Sequence, residues 1–214
     1  MRHIPFVFAG KCPYCGDVLE EGENECSVCR LQFYKFRYRR KLSDDIECIA
    51  PFRYDGSISD AIVRFKKSGC RQFAESCGEQ ISHLLNYAIP PDIVTCVPMY
   101  WLDKWTRGFN HAEKIARCTA RIHKLPYAAL LRKKRHNQTQ HKLNAEQRKQ
   151  NILGVFEAVN LPQIEGKRVL IVDDVCTTGF TLEECGKMLR LAGAESILCA
   201  VAALGGRRMV PEVL

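Results

Sequence analysis

Short apolar runs alternate along the chain with stretches in which every third or fourth residue is apolar. Residues 169–172 form the clearest run, four apolar residues of which three are β-branched, and they predict a strand buried on both faces of a parallel sheet. A second strand is predicted within residues 92–99, and a short strand with a turn within residues 51–56. These runs are typical of strands in a sheet that is covered on both sides.

Segments in which apolar residues recur at helical spacing follow these runs or lie between them. Residues 57–66 place Ile58, Ile62 and Phe65 on one face, residues 73–85 form a second helix ended by Pro90-Pro91, and a third runs through residues 112–119. A fourth begins after the strand at 169–172, with Thr181 as N-cap and Glu184 completing a capping box, and Gly193 ends it. Strands alternating with helices predict an α/β fold with an open, mostly parallel sheet.

Two carboxylates and a loop rich in threonine stand between the strand at 169–172 and its helix. Asp173 and Asp174 suit sugar hydroxyls or Mg²⁺, whereas a helix N-terminus with free N–H groups suits a phosphate. Gly179 allows the backbone to turn close to a ligand. A ligand that carries a phosphate and a ribose diol, bound together with a metal ion, would suit both the carboxylates and the helix N-terminus. Neither a P-loop nor a G-x-G-x-x-G dinucleotide motif occurs in the chain.

Residues 169–181 resemble the phosphoribosyl pyrophosphate (PRPP) motif of type I phosphoribosyltransferases. The resemblance implies that Asp173 and Asp174 are catalytic, holding the ribose and helping to orient Mg²⁺. It also implies a pyrophosphate-binding loop after an early strand, where Val97, Pro98 and Met99 stand. The residues expected to wrap the 5-phosphate are Thr177, Thr178, Gly179, Phe180 and Thr181. Thr181 would then serve both as helix cap and as phosphate ligand, which one hydroxyl can do.

The chain has twelve cysteines, and four of them form two C-x-x-C pairs, Cys12 with Cys15 and Cys26 with Cys29. Four soft ligands at this spacing predict a structural Zn²⁺. Iron in a rubredoxin-like site and two redox-active pairs are the alternatives. The other eight cysteines are scattered, which is typical of a reducing cytosol, so a cytoplasmic protein is expected. One of them, Cys176, is either a redox handle or a tolerated small side chain.

A net charge of +8 favours anionic partners, either phosphorylated substrates or nucleic acid. Residues 32–41 interleave aromatic with basic residues, which predicts either a surface for single-stranded DNA or a strand with one solvated basic face. Residues 130–156 are polar and basic, and they predict a lid over pyrophosphate, a solvated face or a nucleic-acid patch. No apolar run is long enough for a membrane span or a secretory signal.

The motifs in order resemble the ComF family. The similarity comprises the C-P-Y-C-G and C-S-V-C pairs, Tyr54-Asp55-Gly56, Lys66, Val97-Pro98, Arg107-Gly108-Phe109-Asn110, Arg132, Gln140, Leu143, Arg148, Asn151, Phe156 and the PRPP motif. It implies a zinc module at residues 1–45 joined to a phosphoribosyltransferase-like domain at 46–214, with Arg107 and Arg132 among the substrate-binding residues. It also implies a link to natural competence. The resemblance does not identify the acceptor of the phosphoribosyl group. A non-catalytic sensor that binds single-stranded DNA or competence proteins is the alternative.

Overall fold

An open, mostly parallel sheet of seven strands forms the centre of the molecule, as predicted. A computed structural model describes residues 10–33, 36–86, 88–136, 150–206 and 209–213. The strands are β1 (Phe36–Lys41), β2 (Ile46–Ala50), β3 (Phe52–Arg53), β4 (Ile93–Cys96), β5 (Leu131–Lys133), β6 (Phe156–Ala158), β7 (Arg168–Cys176), β8 (Ser196–Leu204) and β9 (Val210–Val213). The order in the seven-stranded sheet is β4-β7-β8-β2-β1-β9, with β3 also pairing with β8. The strands β2, β3, β4, β7 and β8 are parallel, and β1 and β9 join antiparallel at one edge.

Helices cover both faces of this sheet because successive side chains of its central strands point to opposite sides. The helices are α1 (Ser27–Phe33), α2 (Gly56–Ser68), α3 (Arg71–Leu85), α4 (Trp101–Arg107), α5 (His111–Ile122) and α6 (Phe180–Leu191). On β7, Leu170 and Val172 belong to the core beneath α2, α3 and α5, whereas Val169 and Ile171 belong to the core beneath α6. All four are at most 1% exposed, so the prediction of a strand buried on both faces is confirmed.

The predicted helices are present as α2, α3, α5 and α6, but the capping box at the start of α6 is wrong. The helix begins at Phe180, and Gly179 is its N-cap with φ of +90° and no side-chain cap. Glycine adopts this left-handed conformation without strain, so the chain enters the helix before Thr181. Glu184 does not reach back to the helix start, because its Oε1 accepts the backbone N–H of Gly154 at 2.9 Å.

Part of the stretch predicted as a polar basic loop is ordered as strand. The strands β5 and β6 form a small antiparallel sheet, with Leu131 and Phe156 buried against the α6 side of the core. Residues 137–149 lie outside the described residues, and they include three residues of the ComF resemblance, Gln140, Leu143 and Arg148. Within the described ranges, no helix combines the length and apolarity needed to cross a bilayer.

The cysteine-rich segment packs on α3 through one aromatic ring and one carboxylate. The Tyr14 ring lies 5.4 Å from that of Phe52 and 5.6 Å from that of Phe73, and its hydroxyl is 2.8 Å from Ser76 Oγ. Glu25 is fully buried and accepts hydrogen bonds from Ser76 at 2.5 Å and from Gln80 at 3.1 Å. The expected boundary near residue 45 falls in the turn between β1 and β2 of the main sheet.

Candidate functional site

The acid pair lies at the carboxyl end of β7, the edge at which open α/β sheets bind ligands. Asp173 Oδ1 accepts the backbone N–H of Asp174 at 2.8 Å, which fixes the orientation of that carboxylate. Asp174 Oδ2 forms an ion pair with Lys66 Nζ of α2 at 3.0 Å. Lys66 is part of the ComF resemblance, but the sequence alone assigns it no role, because its approach to Asp174 depends on the packing of α2 against the sheet.

The electrostatics of this pair favour a further cation. Burial, followed by the charge of Asp174, raises the pKa of Asp173 well above its usual range. Burial alone would lower the pKa of Lys66, but the attraction of Asp174 and Asp173 outweighs burial, so the pKa is raised. Two carboxylates thus share one ammonium group. The charged form of Asp173 is disfavoured beside Asp174, and a divalent ion bound through oxygen ligands would stabilise it, so the donor set fits Mg²⁺.

A tight loop joins the acid pair to α6. Thr177 and Thr178 are exposed, whereas Gly179 is buried and a Cβ built there would lie 2.7 Å from Leu42 Cδ2. The positive φ at 179 therefore favours glycine, and a larger residue there would in addition require the Leu42 side chain to shift. The first backbone N–H groups of α6 have no partner within the helix and point toward the loop, which suits an anion.

Arg40 supports this loop from behind, and sequence reasoning missed that role. Its Nη1 donates to Thr177 O at 2.7 Å and to Gly205 O at 2.9 Å, and its Nη2 donates to Cys176 O at 3.1 Å. Nη2 also lies 2.8 Å from Cys176 Sγ. A hydrogen bond from Cys48 and the charge of Arg40 lower the pKa of Cys176 to about 7, against the effect of burial. Arg40 is buried, and among the described residues no carboxylate pairs with it.

Replacing Arg40 with methionine is expected to lower the free energy of unfolding by about 2–5 kcal/mol, because three carbonyl oxygens, two of them in buried hydrogen bonds and one in a part-buried hydrogen bond, lose their donor. Arg39→Met on the same strand is the matched control, since Arg39 is part-exposed and its partners Glu47 and Glu212 can be solvated. Urea denaturation of both variants measures the difference. Equal losses for the two variants would contradict a special role for Arg40.

A cavity of about 270 Å³ opens beside the acid pair. It brings together the predicted site residues Asp173, Asp174, Thr181, Val97, Pro98, Met99 and Arg107. The lining does not include Arg132, which forms an ion pair with Glu157 on β6. It also does not include four of the residues expected to wrap the 5-phosphate, which are Thr177, Thr178, Gly179 and Phe180. The lining also contains side chains that the sequence did not assign to the site, which are Lys66, Asp103, Asn110 and His111. It contains Lys133, His136, Ile152 and Phe156 of the stretch 130–156 as well, for which a lid over pyrophosphate is one of the predictions.

The loop after β4 forms the wall opposite α6. Its backbone is fixed from both sides, because Val97 N–H donates to Val172 O and Asn110 Nδ2 donates to Val97 O, each at 3.0 Å. Asn110 Oδ1 in turn accepts the N–H of Ala112 and caps α5. Asn110 follows Arg107-Gly108-Phe109, and its place before an apolar helical repeat was the available signal for this capping role.

The four predicted metal ligands converge. The Sγ atoms of Cys12, Cys15, Cys26 and Cys29 all lie within 4.8 Å of one another, and Cys15 Sγ is 3.6 Å from Cys26 Sγ. The backbone N–H of Cys26 donates to Cys12 Sγ, and that of Cys29 donates to Cys26 Sγ, each with a nitrogen-to-sulfur distance of 3.5 Å. Four sulfur atoms in one cluster fit a single tetrahedral ion better than two separate redox pairs.

Comparison with known proteins agrees with this geometry. The phosphoribosyl transferase domain family matches residues 77–212. Competence protein F of Haemophilus influenzae is 37% identical over 198 residues, which cover 87% of this chain and 81% of that protein. The chain belongs to the ComF family. The type I phosphoribosyltransferase fold that the PRPP motif implies is thereby confirmed.

Two further proteins are similar to this ComF member. DNA utilization protein YhgH of Escherichia coli K12 is 34% identical over 193 residues, covering 87% of this chain and 80% of that protein. Among solved structures, the glutamine PRPP amidotransferase of B. subtilis, complexed with ADP and GMP, has a TM-score of 0.43 and 26% identity. The match covers 60% of this chain and 26% of the amidotransferase chain.

Proposed function

We propose that this ComF-family protein binds PRPP with Mg²⁺ at the carboxyl end of β7 and transfers the phosphoribosyl group to an acceptor. The observation that carries the proposal is the junction of the acid pair with the loop before α6, beside one cavity. Carboxylates for a ribose and a metal are thus directly followed by backbone N–H groups for a phosphate.

Each part of the site has a role in this scheme. The carboxylates of Asp173 and Asp174 accept hydrogen bonds from the ribose hydroxyls, and the N–H groups at the start of α6 bind the 5-phosphate. The bond from the anomeric carbon to pyrophosphate breaks, and a bond from that carbon to the acceptor forms. When bound, Mg²⁺ supplies positive charge next to the departing pyrophosphate. Lys66 and Arg107 line the same cavity and add to the field that stabilises the leaving group.

Pyrophosphate release distinguishes transfer from sensing. Purified protein is incubated with PRPP, Mg²⁺ and a panel of nucleobases, and pyrophosphate is measured beside an Asp173→Asn, Asp174→Asn variant. We expect at least one acceptor to give release that the variant lacks. Binding of PRPP without release on any acceptor would instead show a non-catalytic phosphoribosyl sensor, which is the competing reading of the same site.

We also propose that the cysteine cluster holds structural Zn²⁺, because four thiolates in a closed tetrahedral set suit this ion. The cluster adjoins Tyr14 and Glu25, which attach the segment to α3 and β3. The metal would therefore fix the segment that supplies these contacts.

A role in the handling of single-stranded DNA in the cytoplasm is the further part of the proposal. Its support is the similarity to proteins named for competence and for DNA utilization. Residues 32–41, which include β1, offer only part of the basic surface for single-stranded DNA that their sequence predicts. Arg40 is buried beneath the phosphate loop, and Arg37 and Arg39 are bonded to Glu212 and Glu47.

A further inference from the structure

The whole sequence contains two tryptophans, and both lie on α4. Trp101 is 63% exposed and Trp105 is 81% exposed, although tryptophan is highly buried on average. They are four residues apart, so their side chains lie on the same face of the helix. The helix has no buried residue at all. Packing therefore does not account for the tryptophans of α4.

Aromatic and basic side chains continue the surface beyond α4. The Tyr100 ring lies 5.9 Å from that of Trp101 and 5.6 Å from that of His136. His136 Nε2 is also 3.4 Å from Asp103 Oδ1, which holds the end of the segment after β5 against α4. That segment carries the exposed side chains of Arg132, Lys134, Arg135 and His136. We call Tyr100, Trp101, Trp105 and residues 132–136 the aromatic–basic surface.

We propose that the aromatic–basic surface binds single-stranded DNA. Aromatic side chains with neighbouring cations form the platform on which unpaired bases stack while their phosphates are neutralised. A duplex keeps its bases stacked internally and would leave the tryptophans unused. Among the described residues Lys134 forms no ion pair, so its charge is available to a phosphate. The choice of DNA over RNA rests on the proposed function.

The position of this surface relates it to the phosphoribosyl site. Asp103 and Arg107 of α4 line the cavity beside the acid pair, as do Lys133 and His136 of the basic segment. The two tryptophans are absent from that lining. A strand of DNA stacked on Trp101 and Trp105 would thus pass the mouth of the cavity without entering the phosphoribosyl site.

Intrinsic fluorescence tests the proposal directly, because every tryptophan of the chain lies on the proposed surface. Titration with an oligothymidylate of about 20 nucleotides is expected to quench the fluorescence, and added salt is expected to weaken the binding. Fluorescence anisotropy of a labelled oligothymidylate then measures affinity in variants. Trp101→Ala with Trp105→Ala is expected to weaken binding about a hundredfold, since each stacked ring contributes about a tenfold factor.

Four variants separate stacking from other causes. Trp101→Phe with Trp105→Phe should retain most of the affinity, whereas the corresponding leucine variant, apolar but unable to stack, should lose it. Leu161→Ala with Leu191→Ala removes two apolar side chains of comparable exposure elsewhere and should leave affinity unchanged. Lys134→Gln should reduce the salt dependence, because one phosphate contact is lost.

PRPP binding is measured on the same proteins, so failure of this proposal is distinguishable from failure of the proposed function. The tryptophan variants should bind PRPP as the unmodified chain does, and the Asp173→Asn, Asp174→Asn variant should still bind oligothymidylate. Unchanged DNA affinity in the double alanine variant would overturn the proposal. Equal affinity for duplex DNA would also overturn it. The same holds if oligothymidylate does not quench the tryptophan fluorescence but anionic vesicles or a raised protein concentration do.

Discussion

Asp173→Asn with Asp174→Asn is expected to weaken PRPP binding in the presence of Mg²⁺ by at least about a hundredfold, since each lost charge-assisted contact costs about 1.5–3 kcal/mol. The amides keep the shape of the carboxylates but lose the negative charge that a metal ion requires. The variant also leaves Lys66 without the partner it now has at 3.0 Å. Isothermal titration calorimetry with PRPP and Mg²⁺ measures the change.

The control for this variant is Asp44→Asn with Asp60→Asn, which changes the net charge by the same amount at two exposed positions. PRPP affinity should be unaffected there, because exposed charges are screened by salt. A similar loss in both double variants would show that overall charge, rather than the acid pair, governs affinity. Circular dichroism of both variants confirms that the fold is retained.

Cys12→Ser with Cys26→Ser is expected to abolish zinc binding and to unfold the segment of residues 10–33. Structural zinc sites contribute about 10 kcal/mol or more of binding free energy, which is comparable with the whole stability of a domain. Without the ion, the contacts of Tyr14 and Glu25 with α3 have no rigid support. Elemental analysis and hydrogen exchange of this segment measure the two effects.

Cys70→Ser with Cys118→Ser is the matched control, because these cysteines are part-buried and lie outside the metal cluster. Zinc content should stay stoichiometric in the control variant, and hydrogen exchange in residues 10–33 should be unchanged. Protection that persists in the Cys12→Ser, Cys26→Ser variant would contradict a metal-dependent segment. Iron in place of zinc in the unmodified protein would keep the cluster but correct the identity of its ion.

The central part of the site follows from local sequence. Four apolar residues followed by Asp173 and Asp174 define a buried strand with carboxylates at its end, and both features are present. The spacing of the four cysteines likewise fixes their convergence, because each C-x-x-C pair directs two thiolates to one point. These predictions depend on residues close together in the chain, and tertiary packing had little scope to alter them.

What the sequence did not show depends on distant contacts or on weak local signals. Arg40 contacts the loop before α6 across 137 positions of the chain, and no local pattern distinguishes it from Arg37 and Arg39, which are bonded to acidic side chains. The helix α4 has no buried face and hence no apolar repeat to reveal it. The capping box failed because Gly179, with its positive φ, starts α6 earlier.

The small sheet of β5 and β6 also depends on contacts between residues far apart in the chain, so local sequence did not reveal it. Its strands are three residues long, and the basic side chains around Leu131 obscure the buried position in the sequence. The pairing of Leu131 with Ala158 across residues far apart in the chain creates the sheet. A short strand has too few residues for a reliable period of two, so tertiary pairing decides its structure.

The most direct test of the account is calorimetric titration of the folded, zinc-loaded protein with PRPP in the presence of Mg²⁺. We expect saturable binding of one PRPP per chain that disappears when the metal is chelated and is lost in the Asp173→Asn, Asp174→Asn variant. Absence of binding heat at several temperatures, together with no protection of the β7–α6 loop from hydrogen exchange, would contradict the phosphoribosyl site.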